Sequence, residues 1–152
     1  MCRIVDYDSC YGDAFERLNC EWLEKYFLVE PIDRVILADP EKNVLQAGGV
    51  ILYAVDQDQA VGTIALKHHG DGVYELTKMA VTEAFQGKGL GRRLLCAAIE
   101  RFREFRGERL YLESHSSLLP ALALYESAGF RHEAPPRPSE YERADVYMVF
   151  QG

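Results

Sequence analysis

Hydrophobic positions along the chain follow two different periods, and the change between them predicts the secondary structure. Residues 11–27 and 90–106 carry apolar side chains at helical spacing, so that one face of each segment is hydrophobic. Residues 60–69 and 73–81 are shorter apolar runs rich in β-branched and aromatic side chains, and turns containing glycine and aspartate flank them. The chain therefore mixes helices with strands.

The same patterns, followed over the whole chain, predict the order of the helices and strands. Prolines begin two further helices, and paired strands alternate with glycine-rich turns. We expect strands at 3–7, 44–56, 60–69, 73–81, 109–114, 130–133 and 144–150, and helices at 11–27, 31–39, 90–106 and 121–128. No repeat, low-complexity tract or linker interrupts this order, so residues 1–152 are expected to form a single α+β domain.

Composition and charge narrow the classes of partner. The 152 residues are 48% hydrophobic, and the formal net charge is −7 at pH 7. An acidic chain is a poor binder of nucleic acid, but it can attract a cation such as an amine. No apolar run approaches a membrane span, and the opening residues MCRIVDYDSC do not resemble a secretory signal. We therefore expect a cytoplasmic protein without a nucleic-acid or membrane partner.

The cysteines do not indicate a metal centre. Cys2, Cys10, Cys20 and Cys96 form no CxxC pair, and no histidine lies at metal-ligand spacing from them. A disulfide framework is not expected in a cytosolic chain of this length. The sequence therefore predicts no metal cofactor.

The glycine-rich stretch AFQGKGLGRRLL, residues 84–95, lies between the strand at 73–81 and the helix at 90–106. A helix N-terminus presents free N–H groups and the positive end of the helix dipole, and glycines let a ligand approach the backbone closely. Lys88, Arg92 and Arg93 add positive charge, so the stretch indicates a phosphate-binding loop. It matches neither a P-loop nor a dinucleotide fingerprint, and an ordinary turn is the alternative.

Two motifs carry a resemblance to a known family. Gln86-x-x-Gly89-x-Gly91 follows a strand that ends in Met79-Ala80-Val81, and ALALYESAGF, residues 121–130, is similar to that family's second signature. The chain resembles the GNAT superfamily of N-acetyltransferases. The resemblance implies an α/β/α sandwich whose mixed, mostly antiparallel sheet has about seven strands with four helices, splayed between the fourth and fifth strands. Leu118 stands where many members have an asparagine.

The resemblance also implies an acetyl-CoA site. Backbone N–H groups of the loop would hold the pyrophosphate, and the edge of the strand would pair with the pantetheine arm. The implied cofactor-binding residues are Met79, Ala80, Val81, Gln86, Gly87, Lys88, Gly89, Leu90, Gly91 and Arg92.

Two side chains are the candidate catalytic groups. Glu75 lies where a branch of the family has its general base, and its alternative is a strand glutamate paired with Lys67 or Lys78. Glu113 on the next strand is a weaker rival for the base. Tyr125 occupies the family's position for the acid that protonates the departing thiolate, and its alternative is a packing role.

The acceptor region is the least determined part of the sequence. Trp22, Tyr26 and Phe27 could wall a pocket, and Glu24, Glu30 or Asp33 could attract an ammonium group; the segment SEYER, 139–143, could close over it. We expect direct transfer of an acetyl group to a primary amine of a small molecule or peptide. The alternatives are a non-catalytic module that senses acyl-CoA and, less favoured, a nucleotide-binding regulator. The resemblance also implies a possible homodimer.

Overall fold

A computed structural model describes residues 2–152, in which one seven-stranded sheet lies between two layers of helices. The strands are β1 (Arg3–Asp6), β2 (Val50–Asp56), β3 (Gln59–His68), β4 (Val73–Val81), β5 (Arg109–Ser114), β6 (Phe130–His132) and β7 (Val146–Phe150). The α-helices are α1 (Ala14–Tyr26), α2 (Pro31–Ala38), α3 (Leu90–Glu104) and α4 (Leu119–Ala128). One π-helical turn (Glu41–Leu45) and two 3₁₀ turns (Ser9–Tyr11 and Glu83–Phe85) complete the elements.

The sheet splits between its fourth and fifth strands. The strand order is β1-β2-β3-β4-β5-β7-β6, and every neighbouring pair is antiparallel except β4 with β5. The parallel pair holds only from Val73–Arg109 to Glu75–Tyr111, after which β4 pairs with β3 alone. The mixed sheet and its splay confirm the expected fold class.

The side chains of β4 alternate between two hydrophobic cores. Tyr74 and Leu76 pack with α3 in one core, whereas Ala80 belongs to the other core, beneath α1 and α2. Glu75, between Tyr74 and Leu76, therefore points to the α1–α2 face of the sheet. Over β5 and β7 this face carries Tyr111 and Tyr147 and is covered by the β6–β7 loop, residues 133–145.

The expected strand at 44–56 was wrong over its first six residues. Its apolar residue Val44 is fully buried, but it lies in the π-helical turn, and β2 begins only at Val50. The intervening Gly48 has φ of +98°, which favours glycine over a strand residue. Any Cβ at Gly49 would lie 2.2 Å from the Leu66 carbonyl oxygen, so close backbone contact explains the paired glycines.

A β-bulge in β4 redirects one charged side chain. Thr77 and Ala80 pair with Ala65 and Thr63, so β4 carries one more residue than β3 over this interval. Lys78 lies in the bulge with φ of +57°, an unusual conformation for a residue other than glycine. Its side chain, only 3% exposed, extends towards α2.

There Lys78 joins a buried ionic group, which we call the Asp33 cluster and which consists of Glu30, Asp33, Lys78, Tyr141 and Arg143. Lys78 Nζ donates to Asp33 Oδ1 and, at 3.1 Å, to the Tyr141 hydroxyl. Arg143 donates to both Asp33 oxygens at 2.7 and 2.8 Å and to Glu30 Oε2 at 3.0 Å. The cluster ties α2, β4 and the β6–β7 loop together.

Asp33 is fully buried, so its charge depends on these partners. Burial alone would raise the pKa of Asp33, but hydrogen bonds from Arg143 and Lys78 outweigh burial and lower the pKa to about 2. Burial lowers the pKa of Lys78, and the hydrogen bond with Asp33 opposes that shift. The ionised carboxylate is therefore the form that the fold requires.

We expect Asp33→Asn to lower the free energy of unfolding by about 3 kcal/mol, because it leaves the buried Lys78 ammonium group without its counter-charge and removes one of the two carboxylates that pair with Arg143. The Asp33 pKa is lowered from its usual 3.8, so its stabilisation is complete above about pH 4 and is lost as the pH falls through 2. Urea unfolding of the wild-type protein and of Asp33→Asn between pH 7 and 2 measures the difference in their free energies of unfolding. This difference should become smaller as the pH falls.

Asp6→Asn is the matched control, since Asp6 makes a two-bond pair with Arg101 at the surface. Its side chain is 64% exposed, so the loss should stay below about 1 kcal/mol. Equal losses in the two variants would contradict a structural role for the Asp33 cluster.

Candidate active site

The split between β4 and β5 opens a cavity that reaches through the sheet, which we call the splay cavity. Its volume is about 90 Å³. Trp22 of α1 lines it from one side and Tyr125 of α4 from the other, because no strand fills the gap between them. Two molecules could therefore meet here from opposite faces of the sheet.

Glu75 lies at the last pair before the strands part. Its side chain is 8% exposed, and its Oε1 atom accepts a hydrogen bond from His69 Nε2 at 2.9 Å. The Tyr111 hydroxyl approaches the same oxygen at 3.5 Å. Among the described residues, neither Lys67 nor Lys78 forms an ion pair with Glu75, so no lysine neutralises this carboxylate.

A second cavity of about 250 Å³ lies beside the first beneath the β6–β7 loop, and we call it the tyrosine cavity. Tyr111 and Tyr147, whose rings stack with centroids 5.4 Å apart, form part of its lining. Glu75, Glu113 and Tyr141 line both cavities, so the two adjoin at these side chains, which form their junction.

Glu113 is the second carboxylate at this junction. Burial raises the pKa of Glu113, and the neighbouring negative charges of Glu75 and Glu140 act in the same direction. Ser139, in the β6–β7 loop, is close enough to hydrogen-bond with it. The junction of the cavities is thus an acidic environment in which a bound cation would be stabilised.

Tyr125 projects from α4 into the splay cavity. Its ring packs edge-on against Phe130, with centroids 6.2 Å apart. No residue in 2–152 makes a hydrogen bond with its hydroxyl group, and burial raises its pKa to about 12. The hydroxyl therefore stays protonated near neutral pH and is free to donate into the cavity.

The glycine loop begins where β4 ends and presents its backbone to solvent. Gly87 and Gly89 have φ of +76° and +81°, and a Cβ at either would meet no atom within 4 Å. Within residues 2–152, the amide N–H groups of Gly87 through Arg92 donate no hydrogen bond. Exposed donors at the start of α3 form a cradle of the kind that binds phosphate oxygens.

The side chains around the loop differ in their contacts and in what they can offer a ligand. Gln86 Nε2 donates to the Val81 carbonyl at 2.9 Å, which fixes the loop to the end of β4. The Lys88 ammonium group lies 5.1 Å from the centre of the Phe85 ring, and Arg92 is exposed on the first turn of α3. Leu90 is buried, so it can offer a ligand only its backbone.

The strand residues before the loop present an edge with no strand partner. Beyond Glu75, β4 has no pairing with β5, and Met79 lines the splay cavity while Ala80 is buried beneath the α1 layer. The three candidate residues Met79, Ala80 and Val81 thus lie on a free strand edge that leads from the cavity to the loop.

The acceptor residues expected from α1 and α2 are only partly brought together. Trp22 lines the splay cavity, but Tyr26 and Phe27 pack against Trp22 at centroid distances of 5.3 and 5.8 Å. Asp33 and its neighbour Glu30 do not face the cavity as free carboxylates, because Lys78 and Arg143 neutralise them. The idea that they attract an ammonium group was therefore wrong.

His69 was not singled out from the sequence, and Lys78 was considered only as a partner of Glu75. The only signal for Lys78 was a lysine within the otherwise apolar β4 run. The segment 139–143 was expected to close over the acceptor, and its Tyr141 and Arg143 do line the splay cavity.

With this geometry in view, comparison with known proteins identifies the class. Residues 10–130 match the acetyltransferase (GNAT) family, so the chain belongs to that family. YvbK, an uncharacterised N-acetyltransferase of Bacillus subtilis, is 30% identical over 108 residues, which is 69% of this chain and 70% of that protein.

Solved structures of acetyltransferases share the fold. A GNAT acetyltransferase from Staphylococcus aureus Mu50 superposes with a TM-score of 0.88 at 21% identity, covering 99% of this chain and 98% of that one. YncA of Salmonella typhimurium, crystallised with acetyl-CoA, superposes with a TM-score of 0.78 at 23% identity, covering 99% of this chain and 94% of that one.

No helix in 2–152 is long and apolar enough to cross a membrane. The same residues contain no group of three or more His, Cys, Asp or Glu side chains that could hold a metal ion.

We expect Gly89→Ala to weaken coenzyme A binding about tenfold, because a methyl group at φ of +81° is strained by about 1–2 kcal/mol and the loop must shift to relieve it. Titration calorimetry measures the affinity. Gly12→Ala is the control, since Gly12 also has positive φ but lies far along the chain from the loop. An equal loss of affinity in the control would mean that the loop is not the binding site.

Proposed function

We propose that the protein is an acetyl-CoA-dependent N-acetyltransferase that transfers the acetyl group directly to a primary amine. The observation that carries the proposal is the splay cavity, which brings Glu75 and Tyr125 to one space beside a loop of unpaired N–H groups. Membership of the GNAT family and the naming of relatives as N-acetyltransferases support it.

The residues present fit a coenzyme A thioester. The N–H cradle from Gly87 to Arg92 would hold the pyrophosphate, and the free edge at Met79, Ala80 and Val81 would pair with amide groups of the pantetheine arm. When bound, acetyl-CoA supplies an acetyl group activated as a thioester.

Glu75 is the proposed general base. An alkylamine is mostly protonated at neutral pH, and only its neutral form has a lone pair with which to attack. Glu75 is the carboxylate at the junction of the two cavities whose Oε1 atom is already fixed by hydrogen bonds, and its Oε2 atom has no partner within residues 2–152. In the proposed reaction this unpartnered oxygen receives the amine's proton.

Tyr125 is the proposed general acid. It enters the splay cavity from α4, across the sheet from Glu75, with a protonated and unpartnered hydroxyl. A neutral donor of this kind can protonate a departing thiolate without first acquiring charge. Acid and base thus approach the reacting centre from opposite sides.

The tyrosine cavity is the proposed entrance for the acceptor. Glu75, Glu113 and Glu140 contribute three carboxylates to its lining, against the guanidinium groups of Arg109 and Arg137. An ammonium group is favoured beside Glu75 and Glu113, where a carboxylate on the adjoining carbon would meet the same two negative charges. We therefore propose amines without an α-carboxylate, including peptide N-termini, as the acceptors.

The first experiment combines calorimetry with an amine screen. Acetyl-CoA, coenzyme A and ATP are titrated into the protein, and thiol release is then followed with butylamine, putrescine and the matched pair alaninamide and alanine. We expect acetyl-CoA to bind without ATP, and alaninamide to react faster than alanine. Binding without any amine-dependent thiol release would favour the alternative function, an acyl-CoA-sensing module.

We expect Glu75→Gln to lower kcat at least about 100-fold, because the amide has the shape of the carboxylate but cannot accept the amine's proton. The acidic limb of the pH–rate profile should flatten, and the dissociation constant of acetyl-CoA should not change. Glu113→Gln is the comparison: if its kcat falls as far while that of Glu75→Gln does not, Glu113 is the base.

We expect Tyr125→Phe to lower kcat about 100-fold while the affinity for acetyl-CoA stays nearly constant, because only the proton donor is removed. Steady-state kinetics and calorimetry separate the two effects. Tyr7→Phe is the control, because the Tyr7 hydroxyl donates to Glu41 and Tyr7 lines neither cavity; this variant should retain full activity. A collapse of cofactor affinity in Tyr125→Phe would assign the tyrosine to packing.

A further inference from the structure

Within residues 2–152, His69 makes the shorter of the two hydrogen bonds to the proposed base, Glu75. It directly follows β3, and its backbone N–H donates to the Val73 carbonyl at 2.8 Å across the turn to β4. Gly70, Asp71 and Gly72 all have positive φ, which makes this turn tight. The backbone thus brings the imidazole ring alongside β4, within reach of Glu75.

Aromatic packing limits the orientation of the ring. The imidazole lies against Tyr111 at a centroid distance of 5.8 Å, and Tyr111 in turn stacks on Tyr147. The side chain is only 27% exposed. Because the row of rings fills the floor of the tyrosine cavity, the imidazole has little freedom to turn away from Glu75.

The two carboxylate oxygens of Glu75 differ in their hydrogen bonds. Both donors, His69 Nε2 at 2.9 Å and the Tyr111 hydroxyl at 3.5 Å, approach Oε1. Oε2 has no hydrogen-bond partner in residues 2–152. The bond from His69 is the shorter, and a carboxylate can only accept, so the network assigns the proton to Nε2.

We propose that His69 is a positioning residue for the transfer reaction: by holding Oε1 of Glu75, it aims Oε2 at the amine in the junction of the cavities. The inference rests on the proposed function of Glu75. Glu75 lines both cavities, whereas His69 lines only the tyrosine cavity and donates its Nε2–H to Glu75. His69 therefore acts through Glu75.

The proton balance assigns each group one task. The ammonium form of the acceptor loses one proton to Glu75 Oε2, and its nitrogen then bonds to the acetyl carbon as the carbon–sulfur bond breaks. The thiolate takes the Tyr125 proton, and the second proton lost by the nitrogen restores Tyr125. One proton per turnover leaves from Glu75 to solvent, while the His69 Nε2–H proton stays in place.

The test compares two substitutions in the full-length protein with the best amine from the screen. His69→Phe keeps a ring against Tyr111 but removes the donor, and we expect kcat to fall about 100-fold because Glu75 is no longer fixed. His69→Gln keeps an N–H donor at similar reach and should recover most of the loss. The dissociation constant of acetyl-CoA and the KM of the amine should stay within about twofold.

His68→Phe is the matched control, because the neighbouring histidine stacks on Tyr74 and bonds to the Ala47 carbonyl outside both cavities. It should keep its full kcat. In the double variant of His69→Phe with Glu75→Gln, the loss should not exceed that of Glu75→Gln alone, since the two residues act as a unit.

Three results would overturn the inference. Full activity of His69→Phe would show that Glu75 needs no positioning, and equal losses in the Phe and Gln variants would make the imidazole itself the proton carrier. Failure of the wild-type protein to bind acetyl-CoA or to release thiol with any amine would remove the proposed function and this inference with it, whereas the first two results leave the function standing.

Discussion

The ionised carboxylate of Asp33 is the constraint on which the site depends. It is fully buried, and its counter-charges come from β4 and from the β6–β7 loop, far along the chain from α2. A charge in this position costs several kcal/mol unless it is paired. The pairing therefore brings Lys78 and Arg143 to one point, and it ties α2 to β4 and to the β6–β7 loop, which both line the cavities.

The bulge in β4 and the split beside it belong to the same arrangement. A regular β4 would send Lys78 to one face or the other in strict alternation, whereas the extra residue lets it turn to Asp33 while Leu76 and Met79 keep their place above α3. The pairing of β4 with β5 ends at Glu75, just before the bulge. Glu75, the candidate base, thus lies at the last pair between these two strands.

The sequence predicted the regular parts of this fold because local patterns determine them. The bounds of β4 and β5 were predicted without error, and the glycine loop was recognised from its position between a strand and a helix. The segment 44–49 was wrongly predicted as strand, because the sequence does not distinguish a buried valine in a strand from one in a π-helical turn. The roles of Glu75, Tyr125 and the loop residues stay predictions, which the geometry makes specific but does not test.

The Asp33 cluster and the contact of His69 with Glu75 could not be predicted, because they depend on which distant residues meet. Residues 33, 78 and 143 have no periodic relation, and His69 reads in the sequence as one member of a surface His-His pair. Their charges nevertheless explain the site. The cluster matches two carboxylates with two cations, so it leaves no net charge to compete for the acceptor. The carboxylates of Glu75 and Glu113 then dominate the charge at the junction of the cavities, which supports an ammonium group as the proposed ligand there.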